Sequence, residues 1–89
     1  MLHEFSRTEL LFGPENLQKL KAARVILFGV GGVGGYVAEA LARSGIEHLT
    51  LVDHDTVSLT NLNRQIVALR STIGRPKVEV MAERIHDIT

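Results

Sequence analysis

Cysteine is absent from this 89-residue chain. That excludes a disulfide framework, a thiolate metal site and a thiol nucleophile. Charge of one sign is also lacking. Ten basic and ten acidic residues cancel to a formal net charge of zero. No global field therefore recruits a polyanion such as nucleic acid or an anionic membrane surface. Long apolar runs are missing too, and nothing approaches the roughly 20 residues a membrane span needs. The first residues, "MLHEFSRTEL", carry no signal-peptide pattern. A cytoplasmic location with no membrane partner is expected. No internal repeat or low-complexity linker interrupts the chain. What remains is 45% hydrophobic and 22% charged, the balance of one small globular unit rather than a disordered segment.

Glycine is the residue in local excess. "FGVGGVGGYVAEALARSG" runs from Phe28 to Gly45, with five glycines in its first eight positions. "RVILFG" precedes it, a short unalternating apolar run rich in β-branched residues. It is expected to be a strand buried on both faces. Val33 to Arg43 follows as an amphipathic helix, with Val33, Val37, Ala40 and Leu41 expected on its inner face and Ser44-Gly45 as its stop. "HLTLVD" (His48–Asp53) is a second strand. A strand–helix–strand unit of this length implies two parallel strands and a right-handed crossover. Two strands make a poor sheet, so further strands are expected from elsewhere.

Two short helices are expected before this unit. Ser6 and Glu9 fit a capping box that starts one near Arg7. Gly13-Pro14 ends it and opens another over Pro14 to Ala22, with Leu17 and Leu20 inward. Downstream, Asn61 to Leu69 reads as a shorter helix. Pro76 suits a first helical position, and Val78, Met81, Ile85 and Ile88 form an apolar stripe. That stripe runs to the last residue without a terminator, as in the N-terminal part of a longer protein. The expected fold is α/β: a helical lead-in over residues 1–23, then a nucleotide-binding βαβα unit over 24–89 from the start of a Rossmann-like parallel sheet.

Gly29, Gly31 and Gly34 match G-x-G-x-x-G directly after a strand and at the opening of a helix, the context that gives the motif meaning. Gly29 suits the tight turn, Gly31 lets backbone N–H groups approach a phosphate, and Gly34 lets helix and strand pack closely. A helix N-terminus adds unpaired donors and partial positive charge. The bland alternative is a turn-and-packing cluster with no ligand. Asp53 ends the second strand, 19 residues after Gly34, where an acid accepts hydrogen bonds from a ribose. To this point NAD and ATP fit equally well. Between Arg64 and Lys77 stand four cations (Arg64, Arg70, Arg75, Lys77) and no acid. They read either as a solvated basic face or as opposing charge for a triphosphate. The combination favours ATP over NAD.

"GVGGVGG", "LVDHDTVSLTNLNRQ" and "GRPKVEVMAERI" together resemble the ATP-binding half of the ubiquitin-activating-enzyme-like superfamily, over essentially the whole chain. "FSRTELLFG", "AEALARSGI" and "NRQIVALRSTIGRPKVEVMAERI" most resemble its branch of bacterial tRNA threonylcarbamoyladenosine dehydratases. The resemblance implies that Gly29, Gly31, Gly32 and Gly34 form the phosphate loop and that Asp53 binds ribose. It implies that Asn61, Arg64 and Lys77 hold the triphosphate, Arg64 and Lys77 as the catalytic cations, and that Arg7 reaches a partner subunit's ATP. The cofactors implied are ATP and Mg²⁺, with no metal ligand assigned within these residues. The activity implied is adenylation of a carboxylate, then cyclising dehydration of a modified base in tRNA. A ubiquitin-like sulfur-carrier protein is the alternative substrate. An NAD-dependent dehydrogenase and a non-catalytic oligomerisation fragment are the readings from other classes. A homodimer or higher oligomer is expected, and the fragment alone is expected to be inactive. Asp55 is expected to shape a turn, with a metal-facing role left open. Asn63 and Gln65 are expected to be structural hydrogen-bonders, and His3, His48, His54 and His86 incidental. Tyr36 either packs or narrows the pocket.

Overall fold

The computed structural model describes residues 3–89. In chain order these form α1 (Ser6–Phe12), α2 (Pro14–Ala22), β1 (Arg24–Phe28), α3 (Gly32–Arg43), β2 (His48–Val52) and α4 (Lys77–His86). Single 3₁₀ turns lie at Leu59–Asn61 and Arg70–Thr72. β1 and β2 pair in parallel, Arg24 opposite His48 through to Phe28 opposite Val52. The expected strand–helix–strand unit is therefore present, with the α/β class that goes with it.

The sheet is one-sided among the described residues. Leu27, Leu49 and Leu51 pack on a core of Val30, Ala38, Val57, Val67, Ala68, Val80 and Met81. The opposite face leaves Ile26 60% and Phe28 75% exposed. Burial on both faces, expected from the apolar run, is thus not observed. The run is apolar throughout, but helices cover only one side of it.

α3 corrects a second expectation. Its buried residues are Gly35, Ala38 and Ala42, while Val33 is 81% exposed and Tyr36, Val37 and Ala40 also face outward. Large apolar residues were expected inside, but the helix lies too close to its neighbours to admit them. A Cβ added to Gly34 would sit 1.9 Å from the Gly29 carbonyl oxygen, and one added to Gly35 would meet Ile66 at 2.8 Å. Small residues allow that approach, and the larger ones are displaced to the other face.

The lead-in also departs in detail. α1 is capped by Phe5, with no capping side chain. Ser6 Oγ accepts instead from the His3 N–H at 2.6 Å, and His3 Nδ1 accepts from the Phe5 N–H at 3.2 Å. The predicted capping box is replaced by this upstream turn. α2 has the expected bounds, and Leu17 is its buried residue. The helix expected over Asn61 to Leu69 is a 3₁₀ turn followed by irregular turns. Side-chain closures hold them: Asn61 Oδ1 accepts from Ser58 N–H at 2.9 Å, and Thr72 Oγ1 donates to the Val67 carbonyl at 2.7 Å. Such local bonds compete with helix formation. Pro76 is the cap of α4 rather than its first turn, with an extended ψ of 132°. The apolar stripe outlasts the helix, since Ile88 follows the end of α4.

Candidate functional site

The site begins where β1 ends. Gly29 still belongs to the ladder, its N–H donating to the Val52 carbonyl at 2.8 Å. Its φ of 91° then turns the chain sharply, a backbone angle that glycine tolerates and other residues rarely adopt. Gly31 caps α3 and Gly32 opens it. The first N–H groups of the helix are thereby left without intrahelical partners. Gly34 closes the loop against Gly29 as expected from the motif.

Asp53 lies just beyond β2 and grips this loop. Its Oδ2 accepts from Val30 N–H at 2.7 Å, and its Oδ1 accepts from Asp55 N–H at 2.8 Å. Partial burial works against ionisation of this carboxyl. The two amide hydrogen bonds, with positive charge from Lys77 and His54, outweigh it and hold the pKa below the ordinary value. A carboxylate offers about four lone-pair directions. One is used on the glycine loop and one on the Asp55 amide, which leaves two open. Phe28, Gly29, Val52, Asp53, His54 and Asp55 line a depression of about 500 Å³ at this corner.

Lys77 reaches the same corner from far along the chain. Residues 55–57 pair with the stretch before α4 through a small antiparallel clasp. Val57 N–H donates to Arg75 O at 2.9 Å, Gly74 N–H to Val57 O at 2.8 Å, and Lys77 N–H to Asp55 O at 3.0 Å. Thr56 and Pro76 form the bridge between them. The clasp sets Lys77, buried at 7% exposure, in the field of Asp53.

The other predicted residues sit differently. Asn61 is buried, with its carbonyl oxygen spent on the Ser58 turn. Arg64 is exposed and donates through Nη1 to Thr60 O at 3.1 Å and to Asn63 Oδ1 at 2.9 Å. Its guanidinium therefore lies along its own turn. Arg7 is exposed on the first turn of α1. Of the remaining cations, Arg75 is held by Glu79 and Glu83 at 2.7 and 2.6 Å, a surface network rather than a ligand group. His54, read as incidental, lies 3.4 Å from Asp55 Oδ1, and ligand atoms of Asp53, His54 and Asp55 fall within 4.8 Å of one another. Gln65, read as structural, abuts the loop: a Cβ on Gly31 would lie 3.7 Å from its Nε2. No periodicity or spacing in the sequence signals that contact.

No helix of the described residues is long and apolar enough to cross a membrane. The tRNA threonylcarbamoyladenosine dehydratase of Bacillus subtilis (strain 168) is 58% identical over 88 residues, 99% of this chain and 35% of the relative. The molybdopterin-synthase adenylyltransferase of Escherichia coli (strain K12) is 46% identical over 68 residues, 76% of this chain and 27% of the relative. Among solved structures, E. coli tRNA N6-threonylcarbamoyladenosine dehydratase in complex with ATP superposes with a TM-score of 0.93 at 51% identity, over 97% of this chain and 35% of that one. The chain spans about a third of the length of the curated relatives it matches. The sequence profile of the ThiF family matches residues 5–89, and the chain belongs to that family.

Proposed function

We propose that this chain forms the nucleotide-binding part of an ATP-dependent enzyme that adenylates a carboxylate. One observation carries the reading. The glycine loop, a carboxylate tied to its Val30 amide and a buried lysine from a distant segment meet at one corner. Loop amides suit phosphate oxygens, the free lone pairs of Asp53 suit ribose hydroxyls, and Lys77 supplies a compact charge for the triphosphate. The E. coli dehydratase named above, similar to this chain, was solved with ATP bound, which supports ATP over NAD.

In this reading the substrate carboxylate attacks the α-phosphorus of ATP and pyrophosphate leaves, giving a mixed anhydride with AMP. Lys77 and Arg64 are the catalytic cations that offset negative charge growing on the transferring phosphoryl group and on pyrophosphate. Arg64 must swing from its Thr60 and Asn63 partners to do so. Asn61, with Gly29, Gly31, Gly32 and Gly34, completes the phosphate cradle. Asp53 and Asp55 offer oxygen donors of the hard kind that Mg²⁺ takes, whereas the His54 imidazole does not. Asp55, the more exposed, would hold the ion with the phosphates, and the ion would neutralise phosphate charge.

For the substrate we favour N6-threonylcarbamoyladenosine in tRNA. Its threonyl carboxylate would be activated, its carbamoyl group would attack the activated carbonyl, and AMP would depart as the ring closes with net loss of water. The 58% identity to the B. subtilis dehydratase, against 46% to the E. coli adenylyltransferase, supports this choice over a sulfur-carrier protein. We further propose a cytoplasmic homodimer in which the exposed Leu10, Leu11 and Phe12 face the second copy and Arg7 serves its nucleotide.

Titration calorimetry with ATP–Mg²⁺ and with NAD tests the binding reading. Heat with ATP alone is expected, and preference for NAD would overturn it. In the enzyme assay, release of AMP should require the modified tRNA. Dependence on a Gly-Gly-terminated carrier would replace that substrate with the alternative. The 89 residues alone are expected to convert little ATP to AMP.

A further inference from the structure

Gln65 is a buried carboxamide beside the glycine loop, at 8% exposure, outside every role assigned above. Its Oε1 is fully buried and has no hydrogen-bond partner among the described residues. Its Nε2 lies on the Gly31 side, 3.7 Å from the position a Cβ would take there. A buried polar atom without a partner is unfavourable, and native structures keep few of them. The backbone at this point is fixed by Gln65 N–H to Asn61 O at 2.9 Å and Ala68 N–H to Gln65 O at 3.0 Å. The side chain is thus delivered to the loop by a turn that does not depend on it. The adopted orientation gives the N–H₂ end to the loop and leaves the oxygen end unsatisfied.

We propose that Gln65 is a binding residue of the phosphate cradle: its Nε2 donates to a phosphate oxygen held by the glycine loop, adding a side-chain donor to the backbone amides. This deepens the proposed ATP reading and rests on it for the nucleotide, while the phosphate contact itself is open to a simpler probe. A neutral amide suits the place. It donates to an anion without adding a charge that would have to be desolvated at this buried position. The orphaned Oε1 is the local strain accepted for keeping the donor end forward, and binding of an anion at Nε2 strengthens that orientation.

The test uses inorganic tripolyphosphate and ATP–Mg²⁺ as separate calorimetric probes of the parent chain, Gln65→Met and Gln65→Glu. Gln65→Met keeps the length of the side chain and removes both the donor and the orphaned oxygen. It is expected to melt no lower than the parent, yet to bind both probes about tenfold more weakly. Gln65→Glu is expected to bind more weakly still near neutral pH, and to recover relative to the parent as pH falls and the carboxyl protonates. The recovery shows that position 65 lies within reach of the bound anion, and Gln65→Met separates the roles, because a purely structural glutamine would leave tripolyphosphate affinity unchanged in that variant. Unchanged affinity of folded Gln65→Met for tripolyphosphate overturns the inference and leaves the ATP reading standing. Tripolyphosphate binding by the parent without ATP binding overturns the nucleotide reading, and the variants then decide the phosphate contact alone. Binding of neither probe by the parent overturns both.

Discussion

The loop between β1 and α3 and the hairpin of α1 and α2 are close in sequence and opposite in construction. At the loop, backbone meets backbone: Gly34 lies against the Gly29 carbonyl, and Asp53 holds the Val30 amide. In the hairpin, side chains carry what packing there is. Leu17 and Phe5 are buried, Lys21 sits 5.9 Å from the centre of the Phe5 ring, and Leu10 and Leu11 are 86% and 76% exposed. The first region tolerates no added atom at Gly34, whereas the second leaves Leu10, Leu11 and Phe12 open on its outer side. The difference shows where residue identity is dictated by geometry and where it is left to a binding partner.

The sharpest way to break this contrast is Gly34→Ala. One methyl group would collide with the Gly29 backbone carbonyl. A loss of about 3 kcal/mol or more is expected, read from urea denaturation, together with loss of ATP binding. A stable Gly34→Ala protein would show that the loop is looser than its contacts indicate. Asp53→Ala comes next. It leaves the Val30 and Asp55 amides without their acceptor and is expected to cost about 1–3 kcal/mol. Its pH dependence follows from the depressed pKa. The stabilisation is present above the ordinary carboxylate value of the unfolded chain and is lost as pH falls through the lower folded value. The stability gap between the parent and Asp53→Ala should therefore narrow in strong acid, as followed by melting temperature at successive pH values. A gap that widens would reverse the assignment.

Lys77→Met isolates charge from packing. It is expected to fold near normally and to bind ATP about tenfold more weakly, equivalent to about 1.4 kcal/mol in a calorimetric titration. Smallest of all, Leu11→Ala in the hairpin should change monomer stability by less than about 0.5 kcal/mol. If it weakens self-association instead, seen as a lower mass by light scattering at matched concentration, the exposed leucines belong to a copy-to-copy contact.

The glycine loop was legible because its signal is local: an apolar run, spaced glycines, then a helix. Asp53 was legible by its distance from Gly34. The inner face of α3 was not, because hydrophobicity ranks Val33 and Val37 above Gly35 and Ala38. Only the close approach of the helix to its neighbours makes small size the deciding property. The segment after Asn61 misled for a related reason. Its apolar residues invite a helix, but Asn61 and Thr72 satisfy the backbone in turns. Lys77 could be placed at the Asp53 corner only by resemblance, since the clasp joining 55–57 to 74–77 is non-local and lacks any hairpin motif. Gln65 beside Gly31 was invisible for the same cause.

The bare side of the sheet has a practical consequence for anyone handling this polypeptide. Ile26, Phe28 and Val52 present an uncovered apolar strip, while the formal charge at neutral pH is zero. Colloidal repulsion is then weakest where stickiness is greatest. Solutions should clear on moving away from neutrality and cloud on concentrating near it, so the buffer chosen for a titration will govern whether dissolved protein or precipitate is being observed.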